Sequence, residues 1–128
     1  RLLSFVNHLQ SLLPQKTFYE IFRAVFRFIL KHELFHFKIE LVSTISERIL
    51  QRQLYRCISR DTEENLAQAY AFRARIQPDI KRILEDFFLS IPMYKNFKMY
   101  NDPTMRENAL KNILPESHFF ISFEDIGL

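Results

Sequence analysis

A chain of 128 residues with 48% hydrophobic and 26% charged side chains has a globular balance and the length of one ordinary domain. Its net charge of +3 comes from 18 basic and 15 acidic residues interleaved along the chain, without the basic clustering of a nucleic-acid surface. The single glycine, Gly127, excludes phosphate-cradling glycine loops and dinucleotide fingerprints, and no apolar run approaches the roughly 18 residues of a membrane span.

From the start, Leu2, Leu3, Phe5, Val6, Leu9, Leu12 and Leu13 recur at a mostly helical spacing that Pro14 ends. Thr17 followed by Glu20 three positions on is a capping box. Phe18, Phe22, Val25, Ile29, His32 and His36 then follow at steps of four and three, so both histidines continue the core-facing stripe. The pattern runs toward Gln53, and one straight helix of that length would measure about 55 Å. A compact domain of this size is only about 35–40 Å across, so a bend or restart is expected near Thr44 and Glu47, a second capping-box pair. Ser59 to Thr62 reads as a turn, with Asp61 or Thr62 capping a helix that carries Leu66, Ala69, Tyr70 and Ala71. Pro78 interrupts it, and residues 79–89 form another helix with Ile80, Ile83, Leu84 and Phe87 on one face. Asp102 and Pro103 are an N-cap and first-turn pair starting a helix that ends near Leu114. His118 to Phe123, aromatic and β-branched, is the best strand candidate. The expected class is mainly α, α+β at most, as a single domain over 1–128 with its core at about 17–89 and a C-terminal helix and strand within 102–123.

Cys57 stands alone and cannot form an internal disulfide, which favours a reducing compartment such as the cytoplasm, with an exported effector or toxin as the alternative. The residue itself reads as a small buried apolar group. No signal peptide is read at the start, where the first residue is Arg1.

The chemistry-bearing stretch is His32-Glu33-Leu34-Phe35-His36. Histidines four apart share a helix face one turn apart, so both imidazoles can reach one zinc ion. A glutamate directly after the first histidine lies beside the ion without ligating it, placed to take a proton from water and pass it to a leaving nitrogen. An amphipathic helix with two half-buried histidines and a solvated glutamate is the bland alternative. A catalytic zinc needs a third protein ligand and an open position, and Glu63-Glu64 opens the next helix. Both also fit a first-turn role, since Asp61-Thr62-Glu63-Glu64 has capping-box spacing. Glu40, four residues after His36, lies about 9 Å along the axis from the ion, too far to ligate.

The motif followed by Glu64 and by Ala67-Gln68-Ala69-Tyr70-Ala71 resembles the minimal gluzincin metallopeptidases, especially those of the ImmA/IrrE kind, over about residues 22–73. The resemblance implies zinc held by His32, His36 and Glu64, with Glu63 as the fallback ligand, Glu33 as general base and Gln68 as an outer hydrogen-bonder. Tyr70 and His118 are the candidates for stabilising the oxyanion, while Arg73 is read as solvated. Two departures stand out: Lys38 occupies a position the extended motif keeps apolar, and the sheet that usually flanks such sites is not identifiable. The implied activity is zinc-dependent hydrolysis of a peptide bond in a protein or peptide substrate, with no membrane or nucleic-acid partner. A partner chain or further domain would complete the cleft. The competing reading is a non-catalytic helical interaction module with a structural or vestigial metal site.

Overall fold

The structure, a computed structural model, describes residues 1–54 and 59–128. It is mainly helical, with five α-helices and no strand among the described residues. Cys57 lies outside the described residues. No helix among them is long and apolar enough to cross a membrane.

Helix α1 (Leu2–Leu12) buries Val6 and Leu9 and stops before Pro14. Helix α2 (Phe18–Leu50) starts at the expected box: the Thr17 side chain accepts from the Glu20 N–H, and Glu20 accepts from the Thr17 N–H. It then runs 33 residues, about 50 Å, without the restart expected near Thr44. No proline or glycine interrupts it, and Ile39, Val42, Ser43 and Ser46 keep burying one face through the supposed boundary. Gln51, in the left-handed region at φ 55°, ends it. Helix α2 exceeds the width expected of a compact domain because it serves two apolar clusters in series. Val25 and Phe28 pack with α1 and α4, whereas Phe35, Ile39 and Val42 pack with α3, α5 and the C-terminal segment.

Helix α3 (Arg60–Ala71) is capped by Ser59, whose hydroxyl accepts from the Thr62 N–H, and not by Asp61 or Thr62. It is buried at every position from Asn65 to Ala71, lying between α2 and the later elements. Helix α4 (Pro78–Leu89) begins on its proline, and α5 (Pro103–Ile113) on an Asp102 cap that accepts from Thr104 and Met105 N–H groups.

The strand expected over 118–123 does not form. Ser117–Phe119 is one 3-10 turn, and the Ile121 N–H turns back to the Ser117 carbonyl at 3.0 Å. An isolated strand would have no ladder partner for its backbone groups. The Ser117 side chain is instead pinned to Ser46 of α2 by a 2.9 Å hydroxyl pair with no exposure at either residue.

Candidate metal centre

Helices α2 and α3 pack antiparallel, so ascending positions on one meet descending positions on the other: His32 faces Gln68 and His36 faces Glu63. That pairing brings His32, His36 and Glu64 together, one ligand atom from each lying within 4.8 Å of the others. His32 Nε2 lies 3.2 Å from Glu64 Oε2, His36 Nε2 lies 3.3 Å from Glu64 Oε1, and the two Nε2 atoms are 3.2 Å apart. Tetrahedral zinc with bonds of about 2.0–2.1 Å places neighbouring ligand atoms about 3.3–3.4 Å apart. The two Nε2 atoms already stand at about that spacing, and the Glu64 carboxylate faces both, one oxygen toward each ring.

The hydrogen bonds behind the imidazoles fit the same conclusion. His32 Nδ1–H donates to Gln68 Oε1 at 2.9 Å, and His36 Nδ1–H donates to Glu63 Oε1 at 3.0 Å. With protons held on both Nδ1 atoms, the neutral rings turn lone pairs toward each other and toward a carboxylate. Three electron-rich atoms converging this closely call for a cation, either a metal ion or a proton. The two histidines differ as proton holders. Burial, partly offset by the charge of Glu64, pushes the His32 pKa down. The hydrogen bond to Glu63, opposed by burial and helped by Glu64, pushes that of His36 up.

Among the expected residues, Glu64 lies with the two histidines and Glu63 does not join the cluster, being the acceptor behind His36. Gln68 stands behind His32 as expected. Glu33 is exposed, and its charge acts in a minor way on His32, His36 and Tyr94, in each favouring the protonated form. Glu40 is exposed.

The two expected oxyanion donors are elsewhere. Tyr70 is six residues beyond Glu64, about 240° around the helix, and so on the other flank of α3. Its hydroxyl accepts from Lys38 Nζ at 2.8 Å, and its ring packs on Phe35 with centroids 5.7 Å apart. Lys38, the odd residue of the extended motif, is thus spent on Tyr70 and on the Ile126 carbonyl at 2.6 Å. His118 is exposed, sits in the 3-10 turn Ser117–Phe119 with its ring tilted against that of Phe119, and is not among the residues that converge with His32 and His36.

A different phenol, one that no motif in the sequence singles out, does reach the site. Tyr94, in the 3-10 turn Pro92–Tyr94, donates its hydroxyl to Glu64 Oε2 at 3.3 Å and sets its ring edge-on to His32, centroids 6.3 Å apart. Burial first, then the charge of Glu64, raises its pKa and keeps it a protonated donor. No spacing rule links position 94 to position 32, since a tertiary contact brings them together. The cluster is open to water on one side, with side-chain exposures of 13% at His32, 25% at His36 and 20% at Glu64. Comparisons with protein-family models, with curated proteins and with solved structures return no match to this chain.

Proposed function

We propose that this chain is a zinc-dependent peptide hydrolase in which His32, His36 and Glu64 hold the ion and Glu33 is the general base. The observation that carries the reading is the convergence of His32, His36 and Glu64, one ligand atom from each within 4.8 Å of the others, with both Nδ1 atoms already occupied by acceptors. Two histidines and a glutamate are a zinc donor set with room for a fourth, exchangeable position, and the partial exposure of all three suits a catalytic site more than a closed structural one.

Bound there, zinc would lower the pKa of water to about 7 and polarise a peptide carbonyl. Glu33, on the water-facing side, accepts the proton of the attacking water and returns it to the departing amine nitrogen. The Tyr94 hydroxyl donates to the carbonyl oxygen as negative charge develops on it. Gln68 and Glu63 hold the two imidazoles in the tautomer that leaves Nε2 free for the ion.

A peptide suits the surroundings of Glu33. Ile29, Glu33 and Phe37 follow one another at steps of four along α2, and the two apolar residues are 41% and 62% exposed. The general base is thereby flanked by apolar surface along one ridge. A partner chain or further domain laid along this ridge would wall the cleft, a role no strand among the described residues fills.

The test is a zinc-loaded sample assayed on a mixed peptide library by mass spectrometry, beside Glu33→Gln. One zinc per chain in both samples is expected, with cleavage in the first only. A variant that cleaves as fast as the parent, or a parent that binds no zinc, would sink the assignment.

A further inference from the structure

Helix α2 has a second apolar face, turned away from the core and open to water. Phe26, Leu30, Leu34, Phe37, Leu41 and Ile45 follow one another along it at steps of four and three. Leu30, Phe37 and Leu41 each stand two positions past a buried residue, namely Phe28, Phe35 and Ile39, and so about 200° around the helix from the core. Apart from half-buried Leu34, the six are 39–62% exposed. Arg23 and Arg48 lie on the same line and close it at both ends.

The stripe has the spacing and the edges of a helix-pairing surface. Leu30, Leu34, Phe37 and Leu41 alternate steps of four and three, the pattern by which one helix seats its side chains between those of another. Glu33, Glu40 and Glu47 recur every seven residues along one edge, whereas Arg27 and Lys31 stand on the other. Neither cation takes part in an ion pair among the described residues, and the Lys31 ammonium lies over the Tyr70 ring at 5.5 Å. Two copies lying parallel set the acidic edge of each beside the basic edge of the other, with Glu33 level with Lys31 of the second copy. An antiparallel pair sets acids against acids. A large apolar side chain left half exposed offers about 80–100 Å², so the stripe gives about 500 Å² per copy. With the stems of Arg27 and Lys31 added, two copies reach about 1,200 Å², the lower bound of specific interfaces.

We propose that the chain pairs with a second copy of itself, α2 against α2 in parallel, with Leu30, Leu34, Phe37 and Leu41 at the centre of the contact. The interface is isologous, each residue meeting its own counterpart about a two-fold axis parallel to the helices. Around α2, Glu33 lies between this stripe and the histidines, so the second copy forms the wall beside the general base. That consequence rests on the hydrolase reading. The pairing itself does not, since none of the four central residues belongs to the metal cluster.

Sedimentation equilibrium in chelator tests the pairing without zinc or turnover. A monomer–dimer equilibrium with a dissociation constant of about 1–100 µM is expected. Phe37→Lys and Leu41→Lys, both at exposed positions, should each weaken it by about ten-fold or more, with unchanged far-ultraviolet circular dichroism. If one variant misfolds, the other decides. Disulfide formation in a Cys57→Ser background reads the orientation. Leu41→Cys should cross-link to its own counterpart in a parallel pair. In an antiparallel pair position 41 falls opposite position 30, about 16 Å away along the axis, and cross-links only to a Leu30→Cys copy. A chain still monomeric at about 1 mM, a dimer indifferent to a folded lysine variant, or cross-linking of 41 to 30 and not to 41 would each overturn the proposal. So would a monomer that sediments with vesicles of phosphatidylcholine and phosphatidylserine, which gives the face to lipid.

Discussion

Gln68 is 1% exposed, and its Nε2 has no hydrogen-bond partner among the described residues. A buried N–H left unpaired costs about 1–3 kcal/mol, so the amide is retained at some expense to stability while its Oε1 orients His32. Gln68→Met removes the unpaired Nε2 but also the acceptor of His32 Nδ1–H, two effects of opposite sign and similar size. Apo stability should therefore stay within about 1 kcal/mol while zinc affinity falls by about 10–100-fold. Thermal melts in chelator and a competition titration read the two effects separately, and a large loss of apo stability would contradict this account. His36 carries a different signature. Its pKa lies above the ordinary 6.5 because the Glu63 hydrogen bond favours the charged ring. The folded chain thus holds that proton more tightly than the unfolded one. The resulting stability is complete below about pH 6.5 and is lost as pH rises through the raised value. His32, pushed down by burial, acts with the opposite sign, favouring the fold above about pH 6.5 and losing that as pH falls through its lowered value. Comparing parent with Glu63→Gln isolates His36: in chelator, the stability gap should be widest at about pH 5–6 and narrow toward pH 8. Urea unfolding at those values checks it, and a gap growing with pH would contradict it.

At the scale of elements, one buried side chain decides where Tyr94 goes. Asn65 on α3 donates from Nδ2 to the carbonyls of Asp61 and Met93, both at 2.7 Å, and accepts from the Asn96 N–H at 3.2 Å. It ties the 93–96 turn to the helix that carries Glu64, so the phenol and the carboxylate are placed by neighbouring residues. Asn65→Ala leaves backbone groups of that turn unpaired and should cost about 1–3 kcal/mol in urea unfolding. One zinc per chain should remain, since none of the ligands depends on the turn. Zinc loss with intact secondary structure would show that Asn65 supports the ligands directly. The Thr17–Glu20 box and the Asp102 cap were recoverable from spacing because a cap is settled within four residues. The continuity of α2 was not, because it depends on what α3 and Ser117 offer to its far half.

Over the whole molecule, the His32, His36 and Glu64 cluster sits where the two apolar clusters meet along α2. Phe28 belongs to one, Phe35 to the other, and His32 lies between them. An ion there would cross-link α2 to α3 at that seam. Zinc at 100 times its dissociation constant should stabilise the fold by about 2.7 kcal/mol, given binding to the folded state alone. Differential scanning fluorimetry should show a raised midpoint with zinc, reversed by chelator and absent in His32→Ala. A midpoint indifferent to zinc in the parent would speak against a site at the seam.

The sequence by itself determined the helical class, most helix starts, and the placing of His32 and His36 one turn apart on one helix face, because these follow from the 3.6-residue period and from caps a few residues long. The choice between Glu63 and Glu64, the removal of Tyr70 and His118 from the site and the arrival of Tyr94 were decided by tertiary structure. Those depend on how α3 is turned against α2 and on which loop packs beside it. Such contacts join residues some 30 or more apart in the chain, where no local periodicity carries information.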